Sequence, residues 1–168
     1  YHVSRQEKFP LLLGLLKRDN MKRTIIFTNT KREGERLYDR LVANDLPCRL
    51  ISGDVPQEKR LRIMREFKEG RLPMLIATDV ASRGLHIDDV SHVINYDLPE
   101  DCEDYVHRIG RTARAGARGK AISFADEVGA LNLEDIEEYI GDKIPVQWAE
   151  DDLFVTDFVQ PPRSRKPA

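Results

Sequence analysis

Apolar residues along this chain alternate between two patterns, one with the period of a helix and one of short unbroken runs. Phe9, Leu12, Leu13 and Leu16 stand at i, i+3, i+4 and i+7, one face of an amphipathic helix, and residues 4–7 ahead of them have capping-box form. Residues 24–28 form a β-branched apolar run, as expected for a strand covered by helices on both sides. A second capping box at residues 30–33 starts a helix in which Leu37 with Leu41 and Tyr38 with Val42 stack one turn apart. That helix is expected to end near Asn44, before Pro47. The cycle repeats with a strand at 49–52, a helix at 57–69 closed by Gly70, and strands at 74–78 and 90–96. A helix at 101–109 and a strand at 120–125 follow, and a helix near 127–140 sets Leu133, Ile136 and Ile140 on one face before Gly141 stops it. Alternating units of this length predict an α/β fold with a parallel β-sheet flanked by helices. In such sheets ligands bind at the loops that leave the carboxyl ends of the strands.

The 168 residues suffice for one domain with a sizeable core. One third of them are charged, yet the formal net charge is only −2, so no global basic field marks a nucleic-acid binder and any such site must be local. Cys48 and Cys102 are far apart and belong to no Cys-x-x-Cys or His pattern, so both are expected as reduced thiols without a metal. No apolar run approaches membrane-spanning length and no signal-peptide pattern opens the chain, which predicts a cytoplasmic protein without membrane insertion. Tyr1 is not a natural start, so the chain is expected to be a segment of a longer protein.

Residues 105–114 set Arg108, Arg111 and Arg114 around Gly110, just after the helix predicted at 101–109. A guanidinium keeps its charge at any working pH and presents a rigid fork of donors that matches phosphate oxygens. Arginines at this spacing can clamp charge that develops in phosphoryl transfer, or they can form a solvated basic loop. Thr30 poses a similar choice. It stands where a strand turns into a helix whose first N–H groups favour an anion, and it also suits a plain N-cap. Gln57 and Arg60, three apart at a helix start, read either as a solvated surface or as a contact to a ligand backbone that Gly53 lets approach.

The set of motifs resembles the second RecA-like domain of DEAD-box RNA helicases. The resemblance rests on Ile25-Ile26-Phe27-Thr28-Asn29-Thr30-Lys31, on Ser52-Gly53-Asp54 with Gln57 and Arg60, on the stretch from Ala77 through Thr78, Asp79, Arg83 and Gly84 to Ile87, and on His107-Arg108-Ile109-Gly110-Arg111-Thr112-Ala113-Arg114. Ala113 stands where the family has glycine. Gly84-Leu85-His86-Ile87 and Asn95-Tyr96-Asp97-Leu98-Pro99 look most like the bacterial, degradosome-associated members.

The resemblance implies a RecA-like domain over 1–149; residues 150–168, with three prolines and the cluster Arg163, Arg165 and Lys166, read as a partly ordered tail, either a solvated linker or an RNA-touching extension. It implies RNA contacts at Thr30, Gly53, Gln57, Arg60 and Thr78, and nucleotide contacts at Gly84, His86, Arg111 and Arg114. The two arginines would reach the γ-phosphate of ATP, with Arg114 as the arginine finger. His86 stands where most members carry an aspartate that accepts from the ribose. His107 and Arg108 would hold the loop, and Phe27 would buttress it. The sequence has neither G-x-x-x-x-G-K-[ST] nor Asp-Glu-Ala-Asp, so ATP and its Mg2+ are expected on a preceding N-terminal RecA-like domain, and this chain alone is expected to be inactive. The expected function is ATP-dependent unwinding of short RNA duplexes in mRNA degradation; the alternative is a docking module for a scaffold segment of ribonuclease E. Trp148, Leu153, Phe154 and Phe158, whose apolar area exceeds what a polar tail needs, are expected either to form a docking surface or to cover the sheet's edge or the first helix.

Overall fold

The computed structural model describes residues 1–19, 21–112 and 119–162. Helices and strands alternate as α1 (Lys8–Arg18), β1 (Thr24–Phe27), α2 (Lys31–Ala43), β2 (Cys48–Ile51), α3 (Gln57–Lys68), β3 (Met74–Ala77) and the single turn α4 (Asp79–Ser82). They continue as β4 (His92–Asn95), α5 (Cys102–Ile109), β5 (Lys120–Ser123) and α6 (Ala130–Ile140). The strands form one parallel sheet in the order β2-β3-β1-β4-β5. β1 and β3, buried at every position, lie inside it, as their unbroken apolar sequences require. The register aligns Ile51, Ala77, Phe27, Asn95 and Ser123 across the sheet, so the five strands end on one level edge.

Successive side chains of a strand point to opposite faces, and β1 divides accordingly. Ile26 packs with Phe9, Leu12, Leu37 and Leu41 under α1 and α2, whereas Ile25 and Phe27 pack with Ile63, Met64 and Phe67 under α3. A smaller cluster of Leu98, Tyr105, Ala125 and Ile136 joins α5 to α6. Among the described residues no helix is long and apolar enough to cross a membrane. Cys48 and Cys102 are free thiols, and burial pushes the Cys48 thiol up to about 12, which keeps it protonated and unreactive.

Three expectations require correction. The box at residues 4–7 does not cap α1: Ser4 makes no side-chain cap bond and heads a separate 3-10 turn, Arg5–Glu7. The last helix starts at Ala130 rather than near 127, because the Asp126 carboxylate accepts from the N–H groups of Val128 (3.1 Å) and Gly129 (2.7 Å) and holds that segment as a turn. The fourth strand is shorter than 90–96, because Val90 bonds away from the sheet, donating to the Arg111 carbonyl (3.3 Å) and accepting from the Thr112 hydroxyl (2.8 Å).

Residues after α6 return across α1. The Val155 N–H donates to the Pro10 carbonyl (3.1 Å), Phe158 meets Phe9 edge-on at 5.1 Å, and Asn44 exchanges two hydrogen bonds with Val159. A β-carbon on Gly14 would sit 1.6 Å from the Leu153 carbonyl oxygen, so this crossing requires glycine there. Of the two alternatives, Leu153, Phe154 and Phe158 therefore take the second and cover α1. Trp148 remains exposed at 74%, stacked on His2 at 5.2 Å.

Candidate nucleotide and RNA interface

Three of the five strand ends supply the groups singled out in sequence. After β1, Thr30 caps α2, its hydroxyl oxygen accepting from the Glu33 N–H at 3.2 Å. That bond uses the oxygen as an acceptor and leaves the O–H free to donate outward. The Glu33 carboxylate does not close the box and instead lies 3.6 Å from Arg5 and 3.8 Å from Arg36. After β2, Gly53 faces open space: a β-carbon placed there would meet nothing within 4 Å. Gln57 opens α3 behind Pro56, and Arg60 donates to the Ser52 carbonyl at 3.2 Å while its Nε is buried without a partner. After β3, Thr78 caps α4 by accepting from the Ala81 N–H at 3.4 Å. Because β2, β3 and β1 are neighbours, Thr30, Gly53, Gln57, Arg60 and Thr78 come together on one end of the sheet.

The arginine segment reaches the same edge through a side chain that sequence reading placed only as loop support. Arg108 is 1% exposed and uses every guanidinium nitrogen. Its Nε and Nη2 grip the two oxygens of Asp79 at 2.8 and 2.7 Å. Nη2 also donates to Asn29 Oδ1 at 2.8 Å, and Nη1 donates to the Asp97 carbonyl at 2.7 Å and to Asn95 Oδ1 at 3.4 Å. The guanidinium lies 5.2 Å from the centre of the Phe27 ring, so Phe27 does support the arginine segment.

The network continues inward. Lys8, 4% exposed, bridges Asp97 (2.8 Å) and Asp126 (2.7 Å), and the other Asp97 oxygen accepts from the Asn29 N–H at 3.0 Å. Burial works to raise the Asp126 carboxyl, but Lys8 and the Gly129 and Val128 N–H groups outweigh it and hold the group below its ordinary value. Asp126, Lys8, Asp97, Asn29, Arg108 and Asp79 thus form one connected array joining α1 to the strand ends. Asn29 and Asp79 stand inside motifs already noticed in sequence. Lys8 carries no local signal.

Past this anchor, Arg111 donates to the Leu85 carbonyl at 3.3 Å, and its Nε is buried without a partner. Gly84 has φ +78°, a conformation that favours glycine, and faces open space. His86 is exposed beside it. Asp79, Ser82, Arg83, Asp104, His107 and Arg111 surround a small cleft in which Arg83 pairs with Asp104 at 3.1 Å. Arg114 lies outside the described residues, as do Arg163, Arg165 and Lys166. No group of acidic, histidine or cysteine side chains suited to a metal ion occurs among the described residues.

Residues 7–116 match the family described as helicase conserved C-terminal domain. The chain is 53% identical over its whole length to the ATP-dependent RNA helicase RhlB of Shewanella pealeana, and it spans about two fifths (39%) of that relative's length. Its fold matches the crystal structure of the E. coli DEAD-box protein SrmB bound to regulator of ribonuclease activity A, with a TM-score of 0.82 and 36% identity over 100% of this chain and 95% of that one. It also matches S. cerevisiae Dbp5 L327V bound to RNA and ADP BeF3, with a TM-score of 0.80 and 37% identity over 89% of this chain and 40% of that one. With the aligned strand ends, the phosphate-type donors along them and the buried arginine anchor, these matches place the chain in the helicase conserved C-terminal domain family, as the RecA-like C-terminal domain of a DEAD-box protein.

Proposed function

We propose that the full-length protein is an ATP-dependent RNA helicase and that this chain is the half that closes over RNA and nucleotide. The reading rests chiefly on one observation: the Arg108 anchor holds Arg111 at the same strand-end edge that carries Thr30, Gly53, Gln57, Arg60 and Thr78. RNA lies along the second group, held by hydroxyl, amide and guanidinium donors that read phosphates rather than bases, so sequence preference is low. ATP, the substrate, supplies the transferable γ-phosphoryl group and is held with Mg2+ mainly by the N-terminal RecA-like domain. Arg111, with its unpartnered Nε, and Arg114 meet its phosphates on closure. Gly84 leaves room for the nucleotide, and His86 takes the ribose side. The domain proper comprises 1–149, and 150–168 is its extension.

RNA-stimulated ATP hydrolysis by the full-length protein tests this. Arg111→Ala and Arg114→Ala are each expected to lower turnover by on the order of a thousandfold. Parent-level turnover in both variants would remove the arginines from the site, and turnover by residues 1–168 alone would refute the division of labour.

A second, compatible reading is docking in a cytoplasmic RNA degradosome to a scaffold segment of ribonuclease E. Two observations favour protein docking: the exposure of Trp148, and the SrmB structure, in which a relative is bound to a ribonuclease regulator. Calorimetric titration of the scaffold segment checks it, with Trp148→Ala expected to weaken binding; no heat with folded parent protein would end this reading.

A further inference from the structure

The strand-end edge is not the only place where cations stand ready for phosphate. Helix α3 carries Lys59, Arg60, Arg62, Arg65 and Lys68 against two acids, Glu58 and Glu66. At about 100° per residue, Lys59 and Arg62 point away from Gln57 and Arg60 and toward the opposite flank of the helix. That flank overhangs β2, the edge strand, which among the described residues pairs only with β3. Between α3 and α2 it forms an open cleft of about 400 Å3 lined by Tyr38, Arg49, Lys59, Arg62, Ile63 and Glu66.

Three cations face a single acid here. Among the described residues neither Lys59 nor Arg62 has an ion-pair partner, and the Arg49 guanidinium donates only to the neighbouring Cys48 carbonyl, at 3.1 Å. Some exposed cations elsewhere on the domain meet acids, as Arg5 meets Glu33 and Arg83 meets Asp104, and others such as Lys17, Lys22 and Arg32 meet none among the described residues; what sets this cleft apart is that three cations line one concavity with a single acid. The chain's net charge is negative, so the positive charge left over in this cleft is a local feature. Tyr38, half-buried, adds a ring against which an unpaired base can stack.

We propose that this cleft is an additional RNA subsite, which takes the backbone of a single strand running on from the strand-end edge and bending over the start of α3. The inference builds on the strand-end reading, because Lys59 shares the first turn of α3 with Gln57 and Arg60. Lys59 and Arg62 each neutralise a phosphate, and Arg49 closes the floor. A strand long enough to fill only the strand-end edge does not reach the cleft. The competing role for these cations is to keep the open edge of β2 from pairing with other chains.

The test uses the full-length protein with a non-hydrolysable ATP analogue and fluorescent oligouridylates of about eight and about twenty nucleotides, lengths that bracket a typical single-strand site. Lys59→Ala with Arg62→Ala is expected to weaken binding of the long oligomer only and to lower its log–log salt slope by about 1.4, two phosphates at about 0.7 each. Equal weakening of both lengths, or no change with the long one, overturns the proposal. So does increased aggregation with unaltered RNA affinity, which would assign the cations to guarding the edge strand. Gln57→Ala with Arg60→Ala separates the two readings. It is expected to weaken both lengths; if it weakens neither while the cleft variant keeps its length-selective loss, the strand-end assignment fails and the cleft stands.

Discussion

At the ends of β1, β3 and β4, Arg108 spends its whole guanidinium on Asp79, Asn29, Asn95 and Asp97, while on α3 Lys59 and Arg62 stand in solvent without an acid partner among the described residues. Both regions are rich in cations, and both lie near the proposed RNA path. A buried charge survives only if its bonds are complete, and once they are complete it has nothing left to offer a ligand. An exposed charge costs little to leave unpaired, and so it remains available. Burial thus separates residues that hold the strand-end edge together from residues left free to meet a ligand. Arg111 lies between the two, with one bond to a carbonyl and one buried nitrogen unclaimed.

The contrast is most exposed to failure at Arg108. Arg108→Met removes every bond and leaves the largely buried Asp79 without its cation, so the domain is expected to lose about 4 kcal/mol of unfolding free energy in urea titration. A loss below about 1 kcal/mol would mean that the network relaxes and that Arg108 is no anchor. Adding Asp79→Leu to Arg108→Met should recover part of the loss, because replacing both members of a buried pair costs less than orphaning one.

Lys8→Met is expected to cost somewhat less, about 3 kcal/mol, since Asp97 and Asp126 keep backbone donors when the ammonium is gone. The same unfolding titration measures it, and an effect as small as that of an exposed lysine would detach α1 from the network.

Acid probes the buried side through a single proton. The Asp126 carboxyl is held below its ordinary value of 3.8 in the folded chain, so its contribution is fully present above that value and is lost as pH falls through the lowered one. The stability gap between the parent and Asp126→Asn should therefore narrow as pH drops below about 4. A gap that stays constant with pH would show that the carboxylate charge is not what Lys8 recognises.

The smallest effect is expected on the exposed side. Lys59→Ala with Arg62→Ala should change unfolding free energy by no more than about 0.5 kcal/mol, as surface positions do. A loss of several kcal/mol would show that these cations hold α3 in place and would erase the contrast with Arg108.

Much of this was legible along the chain. Helical spacing in Phe9, Leu12 and Leu13 and the unbroken apolar run at 24–28 encode a local choice between helix and strand, and periodicity is a local property. The candidate residues at the strand ends were legible because the motifs set particular side chains at particular short spacings; the structure gathers them at one edge. Lys8 was not. No local pattern marks it, and its burial depends on Asp97 and Asp126, which only folding brings to within 2.8 Å of its ammonium. For the same reason the sequence leaves Leu153, Phe154 and Phe158 undecided between open surface and cover: α1, which they cover, lies at the other end of the sequence.

Short-range sequence dictates the succession of helices and strands, the parallel sheet they imply and the identity of the phosphate-type donors, because each is written in neighbours a few residues apart. Long-range packing sets the strand order β2-β3-β1-β4-β5, the level edge on which those donors meet, and the division of cations into buried anchors and exposed contacts. Those features depend on which distant side chains share the low-dielectric interior. There the strength of a charge pair is set by partners and burial that no local pattern encodes.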